Sequence, residues 1–543
     1  MSTADTATSV ATTDTASTAG APSTPSTAAS AASTPSPATA PWPNPIVSGF
    51  YPDPSVVKVG GDYYLANSTF EYLPGIPILH STDLRKWTVI GHVVDRPGQL
   101  HSFDIPTLGG AWAPTIRYRN GVFYLVITDA MGRGMIIFTA TDAAGPWSDG
   151  IVVDGVHGID PDLAWGDDGT AYITYSGLDT TSGAGPGAHE HGGILQVTVN
   201  LETGAPLSAP ISLWMGTGLK FPEAPHLYHH GEYWYLMIAE GGTERGHGIS
   251  VARGSSPSGP FEPGPNNPFL SARSTSRPIQ NTGHGDLVET PDGGWAIIML
   301  GMRPTGMTQA FSAMGRETFI TSARFTADGW LEADPVMLNP RPEALVIDDG
   351  FDAETLDSDW LSMRRFASDF ASLTARPGWV ELSGDGSTLN DPRPALIARR
   401  QRHAFAQVSV VVDPGSSGVG GLAVRYDEDH HYEVEVSAGV VTARASVAGI
   451  SQQWSLEVPA GPVTATLDFV ASVGTSLLSQ LTSDIVVLGA IDSAGTSHEL
   501  ARVDGRYLSQ ETAASFAGRV LALYATSGTV EFTDFHYEGS DSK

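Results

Sequence analysis

The chain has 543 residues, 41% of them hydrophobic, and carries 59 acidic against 29 basic side chains, a formal charge of −30. That length is enough for at least two cores, and the acidic excess repels phosphate backbones and anionic lipid, so a neutral ligand is expected and neither nucleic acid nor a membrane surface. The absence of cysteine excludes disulfides, thiolate zinc sites and thiol nucleophiles.

Residues 1–41 are almost wholly Ala, Ser, Thr and Pro, with no Lys or Arg and no apolar run. They read as a disordered leader, since nothing in them could bury a core. The leader lacks the basic start and apolar stretch of a secretory signal, and no segment elsewhere is long enough to span a bilayer. A soluble, cytoplasmic protein is therefore expected, with secretion through an unusual leader left open.

From Trp42 to Trp330 one phrase recurs five times: a Pro or Gly at a strand head, an apolar pair, a Gly-containing turn and an aromatic-rich strand. The copies begin at Asp53-Pro54-Ser55, Ala113-Pro114-Thr115, Asp160-Pro161-Asp162, Ala224-Pro225-His226 and His284-Gly285-Asp286. Their spacing of roughly 47–64 residues fits one four-stranded blade each, so an all-β, five-bladed propeller is predicted over 42–330. A second phrase follows several copies, as in His80 to Trp87, Thr139 to Trp147 and Val251 to Phe261. These read as outer strands whose aromatic residues pack between blades. Residues 331–349, with Pro335, Pro340 and Pro342, read as a connector. Over 350–543 a new alternation sets in, at 408–412, 422–426, 432–436, 440–444, 463–469, 484–491, 519–524 and 529–537. It predicts a two-sheet sandwich of the jelly-roll kind.

In a propeller the inner strand of each blade lines the axis, so residues at matching strand heads meet around one funnel. Asp53, Asp160 and His284 align, with Trp112 and Glu223 one residue earlier. Glycoside cleavage by inversion needs an ionised carboxylate to deprotonate water and a protonated one for the leaving oxygen, roughly 6.5–9.5 Å apart. Asp53, stiffened between two prolines, suits the base; alone it would read as a turn-capping Asp. Asp160 has the same context, and recurrence on separate blades favours function. Glu223, with its pKa raised by apolar neighbours and by Asp160, suits the proton donor. In an ideal strand Glu223 would face away from the axis, so this reading requires irregular strand heads. His284 reads as a holder of water or a cation, or as a turn residue. Arg316 reads as a partner of sugar hydroxyls and of a carboxylate, or as an ion pair near Glu317. Trp112, Phe70 and Tyr72 read equally as a sugar platform and as core packing. His189, His191, His229 and His230 read as solvated loop residues. No Walker loop, His-Glu-x-x-His helix or serine elbow occurs.

At these residues the chain resembles glycoside hydrolase family 43, in particular its two-domain β-xylosidases and α-L-arabinofuranosidases. The matching motifs are Pro52-Asp53-Pro54-Ser55, Ile159-Asp160-Pro161 and Glu223-Ala224-Pro225-His226, with Ser68 to Tyr72, Trp112 to Tyr118, Ala239 to Thr243, Gly283 to Glu289 and Gly315 to Thr318. The resemblance implies an inverting site with Asp53 as general base, Asp160 as the orienting and pKa-setting acid, and Glu223 as general acid. It implies that Phe70, Trp112 and Arg316 shape the terminal-sugar subsite, that His284 holds calcium or water, and that Phe516 from the sandwich closes one side of the funnel. Arg519 and Val520 depart from the small and aromatic residues usual after that Phe, and Asp162 stands where Ser is frequent. No cofactor beyond calcium is implied.

The expected activity is exo-acting, inverting release of D-xylose from the non-reducing ends of β-1,4-xylooligosaccharides. An α-L-arabinofuranosidase acting on arabinose-substituted oligosaccharides, or an enzyme doing both, is the alternative. A non-catalytic carbohydrate-binding propeller is the rival from another class. The sandwich is also a candidate surface for a homo-oligomer.

Overall fold

The computed structural model describes residues 40–178, 191–472, 481–514 and 516–541. The leader expected at 1–41 thus lies outside the described residues except for its last two. No helix among the described residues is long and apolar enough to cross a membrane.

Among the described residues five antiparallel sheets follow one another along the chain, each opening on one of the five predicted strand heads; four have four strands, and the fourth in chain order has a fifth, Leu270–Ser271, paired to Gly248–Gly254. Their innermost strands are Ser55–Val59, Gly110–Arg119, Gly158–Trp165, Glu223–His230 and Gln280–Glu289. Each is followed by an aromatic-rich partner such as Asp62–Ala66 or Val122–Ala130. Apolar faces of adjacent blades bury each other: Leu65, Ile298 and Ile320 pack together between the first and last blades. Trp147, from the second phrase, is 1% exposed between the first two. The ring is strapped shut by the segment before the first blade. Ile46 N donates to Thr318 O (3.0 Å) and Thr318 N to Val47 O (3.2 Å) on the last blade. Asn44 Nδ2 donates to Ile320 O at 2.8 Å, and Asn44 Oδ1 accepts from Ile320 N at 3.0 Å.

The C-terminal part is a β-sandwich built on one long strand, Val520–Ser540. The sequence predicts two strands there, 519–524 and 529–537; the structure instead has one 21-residue strand that turns between the sheets at left-handed Gly528 (φ +64°) and Asp534 (φ +49°). It pairs with Ala395–Arg400 and Val419–Arg425 in its first half, with Val380–Asp385 in the middle, and with Phe405–Asp413 and Leu345–Asp349 in its second. Residues 331–349 are therefore not connector throughout. Leu331–Ala333 completes the fifth blade, and Leu345–Asp349 belongs to the sandwich.

Sandwich and propeller share hydrogen bonds. Tyr72–Leu73 of the first blade pairs with Leu361–Met363, and Arg400 Nε donates to Phe50 O at 2.7 Å. Buried Glu71 lies at this junction, where its Oε2 accepts from Leu108 N at 3.1 Å and its backbone carbonyl from Arg364 N at 2.9 Å. Burial pushes the Glu71 carboxyl up to about 7, with the Arg364 charge pulling the other way. Folding then favours the protonated acid, so its contribution is fully present below the ordinary value near 4.5 and is lost as pH rises through about 7. Glu71→Gln keeps an acceptor for Leu108 and removes the titration. Its stability relative to the parent should increase from about pH 5 to about pH 8, by up to ~3 kcal/mol. Urea unfolding at both pH values checks this, and a pH-independent difference would contradict it.

Candidate active site

All five strand heads are irregular in the same way. Asp53, Ala113, Asp160, Ala224 and His284 each adopt a left-handed φ, between +40° and +54°. Register shifts follow or flank them at Trp112/Thr115, Ile159/Asp162, Glu223/His226 and on both sides of Gly283. Such bulges re-aim side chains and cancel the simple alternation of a strand. Glu223, one residue ahead of its left-handed neighbour, consequently lines the same funnel as Asp53 and Asp160.

That funnel has a volume of about 420 Å³ and is walled by Asp53, Asp160, Glu223, His284, Arg316 and the rings of Phe70, Trp112 and Phe516. Asp53 Oδ1 accepts from Arg316 Nη1 at 2.7 Å, and its Oδ2 from Ser68 Oγ at 2.7 Å. Ser68 Oγ in turn accepts from Ala113 N at 2.6 Å, so the carboxylate is held from two blades. His284 Nδ1 lies 3.6 Å from Asp53 Oδ1. Asp160 Oδ2 accepts from Ala224 N at 3.1 Å, which ties it to the residue next to Glu223. Burial and the nearby Asp53 charge push Asp160 up to about 7. Glu223 is raised well above the ordinary glutamate value by burial and by the charges of Asp160 and Asp53. Asp160 and Glu223 therefore titrate as a pair that retains a proton near neutrality.

Below the acids a second layer closes the axis. Arg117 donates to Asp162 Oδ1 at 2.7 Å and to Asp286 Oδ2 at 2.9 Å. Asp286 also accepts from Ser55 Oγ at 2.7 Å and Tyr228 Oη at 2.6 Å, and His226 Nδ1 lies 3.1 Å from Asp162 Oδ1. Although burial would raise Asp286, the Arg117 charge holds it well below the usual carboxylate range. Ser55, Asp162, His226 and Asp286 lie two residues beyond four of the left-handed positions, a period-2 signal visible in the sequence but given no role there.

The aromatic wall is assembled from both parts of the fold. Phe516 stacks on Phe70 (6.3 Å, 9°) and meets Trp112 edge-on (6.0 Å, 70°), with the Arg316 guanidinium 5.1 Å from the Phe516 ring. Its loop is anchored by the residue that departs from the family pattern. Arg519 is wholly buried, binds Asp484 through Nη1 (2.6 Å) and Nη2 (2.9 Å), and donates to Leu508 O and Gly505 O. Tyr426 Oη donates to Ala517 O at 2.7 Å, and a Cβ on Gly315 of the propeller would come within 2.4 Å of that same carbonyl.

The structure separates the alternatives left open for Tyr72 and Arg316 and corrects the loop reading of two histidines. Tyr72 is not in the funnel: it is buried in the strand that pairs with the sandwich and packs edge-on against Phe50 (6.1 Å). Arg316 leaves Glu317 alone; Glu317 is taken by Arg303 at 2.7 Å. His229 and His230 are exposed but on a strand, where they stack on Trp234 (4.8 Å) and Phe325 (4.1 Å). His191 begins a strand, and His189 lies outside the described residues. His247 and Glu244, which also line the funnel, were not singled out in the sequence, and Thr243 entered there only as the end of a family motif.

Calcium takes six to eight oxygen ligands. His284 offers a nitrogen rather than an oxygen, its neighbour Asp53 already binds Arg316 and Ser68, and no group of three His, Asp or Glu among the described residues is placed to hold a metal. This donor set does not fit a calcium ion held by side chains.

Residues 42–331 match the model of Glycosyl hydrolases family 43, and residues 348–538 that of the Beta xylosidase C-terminal Concanavalin A-like domain. The chain belongs to glycoside hydrolase family 43. It is 35% identical over 508 residues to a non-reducing end alpha-L-arabinofuranosidase of Bacteroides ovatus, covering 89% of this chain and 91% of that one. A xylosidase/arabinosidase of Butyrivibrio fibrisolvens is 35% identical over 421 residues, 72% of this chain and 79% of the other. The crystal structure of xylan beta-1,4-xylosidase from Bacillus halodurans superposes with a TM-score of 0.80 at 29% identity, over 92% of this chain and all of that one. The protein is thus a family 43 glycosidase whose substrates are oligosaccharides.

Because Phe516 is a half-buried loop residue that completes the funnel wall, Phe516→Ala should raise KM about ten-fold with Tm changed by only a few degrees. Steady-state kinetics beside thermal unfolding checks this; an unchanged KM would remove Phe516 from the site.

Proposed function

We propose that the protein is an exo-acting, inverting glycosidase that releases D-xylose from the non-reducing ends of β-1,4-xylooligosaccharides. The observation that carries this reading is the placement of three carboxyl groups around one funnel with opposite surroundings. Asp53 accepts from a guanidinium and a hydroxyl, whereas burial and like charge keep Glu223 protonated. Asp53 takes a proton from water as the water oxygen bonds to the anomeric carbon. The glycosidic C–O bond breaks, and Glu223 gives its proton to the departing oxygen. Asp160, bonded to Ala224 N, raises and orients Glu223. Arg316, Phe70, Trp112 and Phe516 enclose the terminal sugar. The ionic layer beneath the acids closes the funnel floor, which supports cleavage from chain ends. A second reading, α-L-arabinofuranosidase or an enzyme doing both, is favoured by the 35% identity to the Bacteroides ovatus arabinofuranosidase.

Rates on 4-nitrophenyl β-D-xyloside and α-L-arabinofuranoside decide between the two: a higher kcat/KM on the xyloside is expected. Glu223→Gln should lower kcat on xylobiose about a thousand-fold. Its loss should be smaller on the nitrophenyl glycoside, whose leaving group needs little protonation. Since the acid works protonated and its pKa is raised, kcat/KM should hold to higher pH than an ordinary glutamate would allow and fall as the acid ionises, and the variant should lack this alkaline limb. Full xylobiose turnover by Glu223→Gln would overturn the assignment.

A further inference from the structure

Beside the funnel lies a second cavity of about 430 Å³, bounded by the segment from Asn267 to Arg277, by Thr282 and by residues 333–336. The inner strand of the fifth blade contributes to the walls of both. Thr282 and His284 sit two residues apart on the inner strand of the fifth blade and would share a face in a regular strand. The register shifts on both sides of Gly283 break that alternation, so Thr282 lines the second cavity and His284 the funnel. Ser271 Oγ, on the cavity side, donates to the carbonyl of His247, whose ring lines the funnel (2.7 Å).

The chemistry of this cavity runs against the rest of the chain. In a protein of formal charge −30 it is lined by two arginines, Arg273 and Arg277, and neither forms an ion pair among the described residues. Arg277 Nη1 is steered by Ser271 O at 3.2 Å. The one acidic side chain in the lining, Asp334, is already engaged by Arg324 at 2.8 Å. Thr282 is 1% exposed and its hydroxyl is buried with no hydrogen-bond partner. Half-buried Phe269 adds an apolar ring to the lining, which a bare inorganic anion would not use and a sugar ring would.

We propose that this cavity is a second ligand site, taking a carboxylate-bearing sugar of the uronic acid class through Arg273, Arg277 and Thr282. The choice of a sugar rests on the glycosidase reading; the choice of an anion does not. A glycan whose end occupies the funnel could present such a unit to the adjoining cavity, and the free acidic sugar offers the same chemistry.

The test is isothermal titration of the full chain with D-glucuronate, its neutral methyl ester, D-xylose and inorganic phosphate. Glucuronate should bind about ten-fold tighter than the ester, and an Arg273→Gln/Arg277→Gln double variant should lose about ten-fold of that affinity. The same variant should hydrolyse unbranched xylobiose and the arabinofuranoside at rates within about two-fold of the parent. Thr282→Val, which leaves the charges in place, should weaken glucuronate without restoring the ester. Equal binding of glucuronate and ester, or full affinity in the double variant, overturns the proposal. Phosphate binding as tightly as glucuronate overturns the sugar assignment and marks an anion trap. If no glycoside is hydrolysed, the catalytic reading falls while the titration still reports on this cavity.

Discussion

One largely buried guanidinium, 14% exposed, holds the axis of the propeller together. Arg117 comes from the second blade, Asp162 from the third and Asp286 from the fifth, and the first and fourth blades join through Ser55, His226 and Tyr228. Removing one member of such a buried network leaves an uncompensated charge, at a cost of ~3–5 kcal/mol. This layer is the floor on which the strand heads rest. The left-handed residue above each of its anchors fixes where the acids point.

The funnel gives chemically similar carboxyl groups different surroundings. Asp53 has a guanidinium on one oxygen and a serine hydroxyl on the other. Asp160 and Glu223 have burial and the neighbouring negative charge, which move both upward. On the proposed reading these different surroundings divide the acid and base roles. The sandwich takes part in this division, because the Arg519–Asp484 pair and Tyr426 hold the loop that brings Phe516 over the pocket.

Much of this was legible in the sequence. The five repeated phrases specify five blades because each is one strand head and hairpin, and Asp53, Asp160, Glu223, Arg316, Phe70, Trp112 and Phe516 do converge on one funnel. The facing of Glu223 was not derivable from alternation, because the bulge that turns it inward depends on backbone angles rather than on residue type. Tyr72 read as a platform candidate since a buried aromatic and a sugar-stacking one share the same composition; only its pairing with Leu361–Met363 separates them. The strand at Leu345–Asp349 was hidden by nearby prolines, and the long terminal strand by Gly528, which bends it without ending it. His247 carried no signal of its own because its neighbours in the funnel come from distant blades.

The central claim is that Asp53 activates water on the face of the sugar opposite the bond that Glu223 protonates. Proton NMR of the first sugar released from xylobiose, recorded before mutarotation, tests this directly. The account predicts α-D-xylose, the inverted anomer. Initial release of β-D-xylose would mean a covalent intermediate on one of the carboxylates and would contradict it.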